Sequence, residues 1–341
     1  MTSILDRRAL MAGAATLAAA GTLATGAKAQ NAQDPQVPAR PKYRAAVMRV
    51  PIEIPITADA LEATRKRNAD AMVAAIESTM KGPDPKPRII VFPVLQYTSA
   101  RRAVSGVPMS AVAVDLVSTP LDKSIFAPVV EACRRHNCYV ATSTQEKVPQ
   151  LPGKFFHTGF IMGPEGLVLR SPKTQAQSAP EVGYLRDMAD QYTKIFGPES
   201  IMPVVDTPVG KLACYVEAEA EVLEVSRNLA AKGAEVILHT SMESDEVPWQ
   251  ALKQAIGYQC HVYLLTGATS RFIRADKPEQ EWAGGASTIV GPDGKVLASK
   301  GGRDEGFAAA EIDLGAIAVA KKKFGRNTVP AWGLYSKLYK G

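Results

Sequence analysis

Residues 212–241 read LACYVEAEAEVLEVSRNLAAKGAEVILHTS. Leu212 to Val216 is a short apolar run of strand length. Glu221 to Lys232 spaces its apolar residues at helical intervals, and Gly233 closes that helix, because glycine alone enters the left-handed cap without a Cβ penalty. Glu235 to His239 is again a short apolar run. Strand, helix, glycine and strand in direct succession is the repeating unit of an α/β layered fold.

The same alternation extends in both directions. Tyr43 to Val50 reads as a strand, Ala58 to Lys81 as an amphipathic helix with Thr57 as its N-cap, and Arg88 to Phe92 as a buried strand ended by Pro93. Pro120 to His136 is helical and Cys138 to Thr144 extended. Downstream, Pro248 to Gln259 is helical and His261 to Thr266 extended. One internal echo refines the picture. Ile161-Met-Gly-Pro-Glu-Gly-Leu-Val-Leu-Arg-Ser171 and Ile289-Val-Gly-Pro-Asp-Gly-Lys-Val-Leu-Ala-Ser299 both spell strand, Gly-Pro-acid-Gly turn, strand. Either two unrelated hairpins share turn chemistry, or the chain holds two similar halves. With each copy following an α/β stretch, the second reading predicts two sheets packed face to face with helices outside, a four-layer α-β-β-α sandwich.

Composition sets the outer bounds. The chain has 341 residues, is 46% hydrophobic and 22% charged, and carries a net charge of +6, which excludes a disordered or collagen-like chain and gives no case for a polyanion partner. Arg7-Arg8 precede an Ala- and Gly-rich run, Ala9 to Ala27, that ends in Ala27-Lys28-Ala29. This reads as a twin-arginine export signal over residues 1–29, cleaved before Gln30, and predicts a periplasmic or secreted protein; the run is too weakly apolar for a membrane span. Residues 30–42 read as a disordered leader and 43–341 as one domain with a C-terminal tail. Cys133, Cys138, Cys214 and Cys260 lack the spacing of a disulfide framework or zinc ribbon, and His136, His157, His239 and His261 are scattered, so neither a structural metal nor a cofactor is expected. Lys321-Lys322-Lys323 reads as a solvated face rather than a nucleic-acid site, and the glycine pairs at 284–285 and 301–302 lack the strand-to-helix context of a phosphate loop.

Three places carry chemistry. The strand Arg88 to Phe92 opens into Pro93-Val94-Leu95, a hairpin delivers Leu169-Arg170-Ser-Pro-Lys173-Thr174, and Leu212-Ala213 leads into Cys214-Tyr215. In order and spacing these segments, with Gly284-Gly-Ala-Ser287 before the second hairpin, resemble the nitrilase or carbon-nitrogen hydrolase superfamily, whose members carry a Glu-Lys-Cys triad. The resemblance runs from Tyr43 to about Lys323. It implies Cys214 as nucleophile, Lys173 as the ammonium that holds the oxyanion together with the backbone amide of Tyr215, and Trp249 as a wall of the substrate pocket. A strand-end cysteine near a helix N-terminus and an ammonium is a chemically sensible nucleophile, since both favour the thiolate.

The third member departs from the pattern. The resemblance places a general-base glutamate at position 94, where this chain has valine, which can neither accept nor donate a proton. Glu181 resembles an additional glutamate that many relatives place beside the triad lysine, and stands as a substitute candidate. Val216 and Ala220 replace the Asp and Pro that relatives carry after the cysteine, Glu221 alone matches, and the segment up to Lys232-Gly233-Ala234 is about three residues longer than in relatives. Glu217 and Glu219 either face the site or are acidic residues of a helix's first turn. Two function classes stay open. One is an exported hydrolase of a small amide or nitrile that works through a cysteine thioester. The other is a catalytically silent relative that keeps the fold to bind. Lys173 and Cys214 favour the first, and Val94 favours the second. The resemblance also implies a homo-oligomer.

Overall fold

The computed structural model describes residues 40–55, 57, 59–94, 126–175, 182–243, 246–274, 277–324, 333 and 337. The export signal, most of the leader (to residue 39) and Glu181 therefore lie outside the described residues. In chain order the elements are β1 (Lys42–Arg49), β2 (Ile52–Ile54), α1 (Leu61–Met80), β3 (Pro87–Val91), α2 (Ala127–His136), β4 (Tyr139–Glu146), β5 (Phe155–Gly163), β6 (Gly166–Pro172), β7 (Val182–Gly183) and α3 (Leu185–Phe196). There follow β8 (Val205–Thr207), β9 (Gly210–Val216), a 3-10 turn (Glu217–Glu221), α4 (Leu223–Ala231), β10 (Val236–Ser241), α5 (Glu246–Cys260) and β11 (Tyr263–Ala268). The chain continues through β12 (Arg271–Arg274), β13 (Lys277–Trp282), β14 (Ser287–Val290), β15 (Val296–Lys300), β16 (Gly306–Asp313) and α6 (Gly315–Phe324).

Side-chain alternation along the strands builds two faces per sheet. Ile89 and Val91 of β3 join Leu212 and Cys214 of β9, Val236 and Leu238 of β10, and Tyr263 and Leu265 of β11 in one buried layer between the sheets. The intervening Ile90 and the following Phe92 turn the other way, onto Ala69, Met72, Ile76 and Met80 of α1 and Val129, Ala132 and Cys133 of α2. Ala213, Tyr215, Ile237 and Leu264 likewise meet Val225 and Leu229 of α4 and Ile256 of α5. Helix, sheet, sheet and helix are thus stacked in the expected α-β-β-α order.

The two halves are alike in topology. In one sheet β1, β3 and β4 pair in parallel, β5 adds antiparallel to β4, and β6 antiparallel to β5. In the other, β9, β10 and β11 pair in parallel, β14 adds antiparallel to β11, and β15 antiparallel to β14. The two Gly-Pro-acid-Gly hairpins occupy equivalent places, so the echo reflects two similar halves. The carboxyl ends of β3, β9 and β10 open on one side, where the crevice of an open α/β sheet forms.

Two local expectations change. α1 starts at Leu61 after Ala60 with no side-chain cap, so Thr57 is not its N-cap. The expected helix from Glu221 to Lys232 is shorter, Leu223–Ala231, because the acidic segment Glu217–Glu221 before it winds as a 3-10 turn.

Candidate active site

The length of β9 determines what faces the cleft. Its alternation carries Cys214 into the layer between the sheets, opposite Leu238 of β10, with no measurable exposure. Gly159 of β5 leaves room for the sulfur, since a Cβ there would lie 2.8 Å from Cys214 Sγ. Burial, and then the charge of Glu219, push the thiol well above its ordinary range, the opposite of activation. Cys214 therefore sits in the core two residues short of the strand end, and its expected place as a nucleophile facing Lys173 is corrected. Tyr215, expected to offer an oxyanion amide at an open strand end, is instead registered with His239 inside the sheet, its ring on the helix side within reach of Ser226.

The strand end belongs to Glu217. Its backbone turns left-handed, with φ of 49°, a conformation that costs a non-glycine residue of order 1 kcal/mol or more and that is typical of sharp strand-to-helix turns at functional sites. Lys173, one residue past β6, donates from Nζ to Glu217 Oε2 at 2.9 Å. His157 Nδ1 lies 3.6 Å from the same oxygen. The lysine, 5% exposed, thus has a carboxylate partner rather than a sulfur.

Backbone and buried polar groups hold this pair in place. Lys173 N donates to His157 O, and Leu185 N donates to Lys173 O. Glu219 accepts from Thr174 N and Thr174 Oγ1, both at 2.8 Å, and from Val216 N at 3.1 Å, clamping the end of β6 to the end of β9. Burial raises the Glu219 pKa while those three donors oppose the shift. His239 lies within 3.0 Å of Glu217 O through Nε2 and within 3.1 Å of Thr266 Oγ1 through Nδ1. A carbonyl can only accept, so Nε2 carries the proton and Nδ1 accepts from the threonine hydroxyl. Burial, followed by the Lys253 charge, lowers the His239 pKa to about 3, which keeps the ring neutral.

The remaining walls are apolar and aromatic. Val94 is buried against Val216 and Met242, and its N–H donates to Ser241 O, so the position expected for the general base does reach the end of β9 but brings only methyl groups. Trp249 stacks on His239 with centroids 5.9 Å apart. Tyr184 is held above its ordinary pKa by burial and then by the Glu217 charge. Of the expected site residues, the structure gathers Lys173, Val94 and Trp249 around the end of β9 and its partner strand, and leaves Cys214 and Tyr215 in the sheet. Sequence reasoning left Glu217 open and missed the site roles of His157, Tyr184, His239 and Met242. The three-residue excess before Gly233 was the signal for Glu217, because counting back from that glycine by the relatives' spacing lands there.

The chain matches the family model described as carbon-nitrogen hydrolase over residues 44–322. It is 27% identical over 175 residues to an omega-amidase, NIT2-B, of Xenopus laevis, a match covering 50% of this chain and 60% of that protein. It is 31% identical over 145 residues to a bifunctional nitrilase/nitrile hydratase, NIT4B, of Nicotiana tabacum, covering 38% and 41%. The crystal structure of a carbon-nitrogen hydrolase from Helicobacter pylori superposes with a TM-score of 0.62 at 16% identity, covering 88% of this chain and 99% of that one.

Proposed function

The chain belongs to the carbon-nitrogen hydrolase family, and from that premise we propose that it is a member whose cleft binds a small amide- or nitrile-like molecule without thioester chemistry. The observation that carries this reading is the 2.9 Å ion pair between Lys173 and Glu217. An ammonium stabilises a developing oxyanion through its uncompensated charge, and a carboxylate already in contact removes much of that charge. Cys214, three residues before Glu217, is buried within the strand, and the general-base position is a valine. Losing a positioned base alone lowers rate by about 10² to 10⁴.

A second reading draws on the left-handed backbone of Glu217. In it, Glu217 itself performs the hydrolytic work as a carboxylate base or nucleophile oriented by Lys173 and His157. The two readings separate in one experiment. Ammonia release and calorimetric binding are measured for a panel of short amides and nitriles with wild type, Lys173→Met, Glu217→Gln and Cys214→Ala. The first reading expects no turnover and binding weakened at least about tenfold by Lys173→Met, the scale of one charged hydrogen bond. Turnover that survives Cys214→Ala but disappears in Glu217→Gln would establish the second. Turnover abolished in a folded Cys214→Ala protein would contradict both. Export through the twin-arginine route and assembly into a homo-oligomer are further parts of the proposal, tested by cell fractionation and by sedimentation.

A further inference from the structure

Where α2 ends and leads into β4, an interior strand of the first sheet, two cysteines come together. Asn137 caps the helix in the left-handed conformation, with φ of 49°, and the chain folds back so that Cys138 N donates to Cys133 O at 3.1 Å. Both side chains enter the same buried layer beneath α1 and α2, and both lack exposure. Cys133 Sγ also lies 3.8 Å from Met162 O. A backbone hydrogen bond between two residues brings their α-carbons to about 5–6 Å, inside the range of about 4.4–6.8 Å that a disulfide spans. Cys214 and Cys260 offer no rival pair, since they lie on opposite faces of the second sheet, one between the sheets and one under the helices.

We propose that Cys133 and Cys138 form a reversible intramolecular disulfide that ties the end of α2 to the start of β4 when the protein meets a disulfide oxidant. One thiolate attacks a sulfur of the oxidant and expels one thiol. The second thiolate then displaces the remaining oxidant sulfur from the mixed disulfide. The two protein thiols lose two electrons in all, and the oxidant leaves as two thiols that take up the two protons. Hydrogen bonding to Cys138 and then burial push the Cys133 thiol far above its ordinary range, so oxidation awaits fraying of the last turn of α2 and is slow. The bond, once buried again, is shielded from reductants by the same packing. An exported protein would meet such oxidants in the periplasm. The inference is independent of the chemistry in the cleft.

The test uses the full chain. The protein is incubated at about pH 8 with excess oxidised glutathione, then unfolded and alkylated, and compared with a reduced sample. Alkylatable thiols are expected to fall from the four of the reduced chain to two, the mass before alkylation to drop by about 2 Da, and peptide mapping to recover a Cys133–Cys138 cross-link. Cys133→Ser and Cys138→Ser should each lose the cross-link. Four alkylatable thiols in the oxidised wild type, a glutathione adduct in place of the cross-link, or a cross-link involving Cys214 or Cys260 would overturn the proposal. Because the result is read on the wild type, it does not depend on how either variant folds.

Discussion

Glu217 and His239 form a dependent pair at the mouth of the second sheet. The histidine donates to the carbonyl of a residue held in a left-handed turn, and only the neutral ring presents one donor and one acceptor to the groups it meets. Protonation would place a cation, with no second acceptor, in a fully buried position beside Lys253. The folded pKa of about 3 lies below the ordinary 6.5, so the unfolded chain takes up this proton first. The contribution of His239 to stability is therefore complete above about pH 6.5 and falls by up to about 1.4 kcal/mol per pH unit toward pH 3. Glu219 and Glu243, with raised pKa values, contribute with the opposite sign. A difference measurement isolates the histidine: the stability gap between wild type and His239→Asn, from urea unfolding, should narrow steadily from pH 6.5 downward. A pH-independent gap would place the proton elsewhere.

At the scale of elements, the strand β9 decides the character of the site. Because it continues to Val216, Leu212 and Cys214 share the inter-sheet face and the following turn presents a carboxylate. The close approach of Gly159 to Cys214 gives a direct check on this register. Gly159→Ala should destabilise by about 1–3 kcal/mol through overpacking, and the cost should shrink when Cys214→Ala removes the sulfur that the new methyl would meet, a coupling that a double-mutant cycle reads. Additive effects would contradict the register. Strand β10 is tied to its neighbours by a second buried ion pair. Lys253 of α5 donates to both oxygens of Glu243, just past β10, and to Ala286 O, while Glu243 accepts from Ala286 N. Lys253→Met strands that carboxylate and should cost about 3–5 kcal/mol in urea unfolding, less on acidification as Glu243 protonates. An unchanged midpoint would show that the pair carries no net stability.

These elements also show what the residues disclosed in advance. Alternation in Arg88 to Phe92, Leu212 to Val216 and Glu235 to His239 was legible because each strand is buried on both faces and reads as an apolar run. The hairpin turns were legible because only a few residue types fit them. The turn that follows β9 was not. Three extra residues between Cys214 and Gly233 either lengthen the following helix or form a turn of their own, and local propensity does not choose between them in Val-Glu-Ala-Glu-Ala-Glu. Tertiary packing chose the turn, with Glu219 accepting from Val216 N and Thr174 N to hold it. Lys173 was found because the segment after the first hairpin resembles the stretch that carries the family's triad lysine. His157 and His239 were not, since a histidine inside a strand carries no spacing signal.

Across the whole molecule, two similar halves pack sheet to sheet. The cleft draws on both: Lys173, His157 and Val94 come from the first, and Glu217, His239 and Met242 from the second. Position 217, rather than 214, faces the Lys173 ammonium. Iodoacetamide labelling of the folded protein, located by peptide mapping, tests that placement most directly. Wild type should remain unlabelled at Cys214 until it is unfolded, whereas Glu217→Cys should be alkylated at position 217 in the folded state, faster than a free thiol at the same pH, because the neighbouring ammonium favours the thiolate. Rapid alkylation of Cys214 in folded wild type, with position 217 inert in the variant, would contradict it.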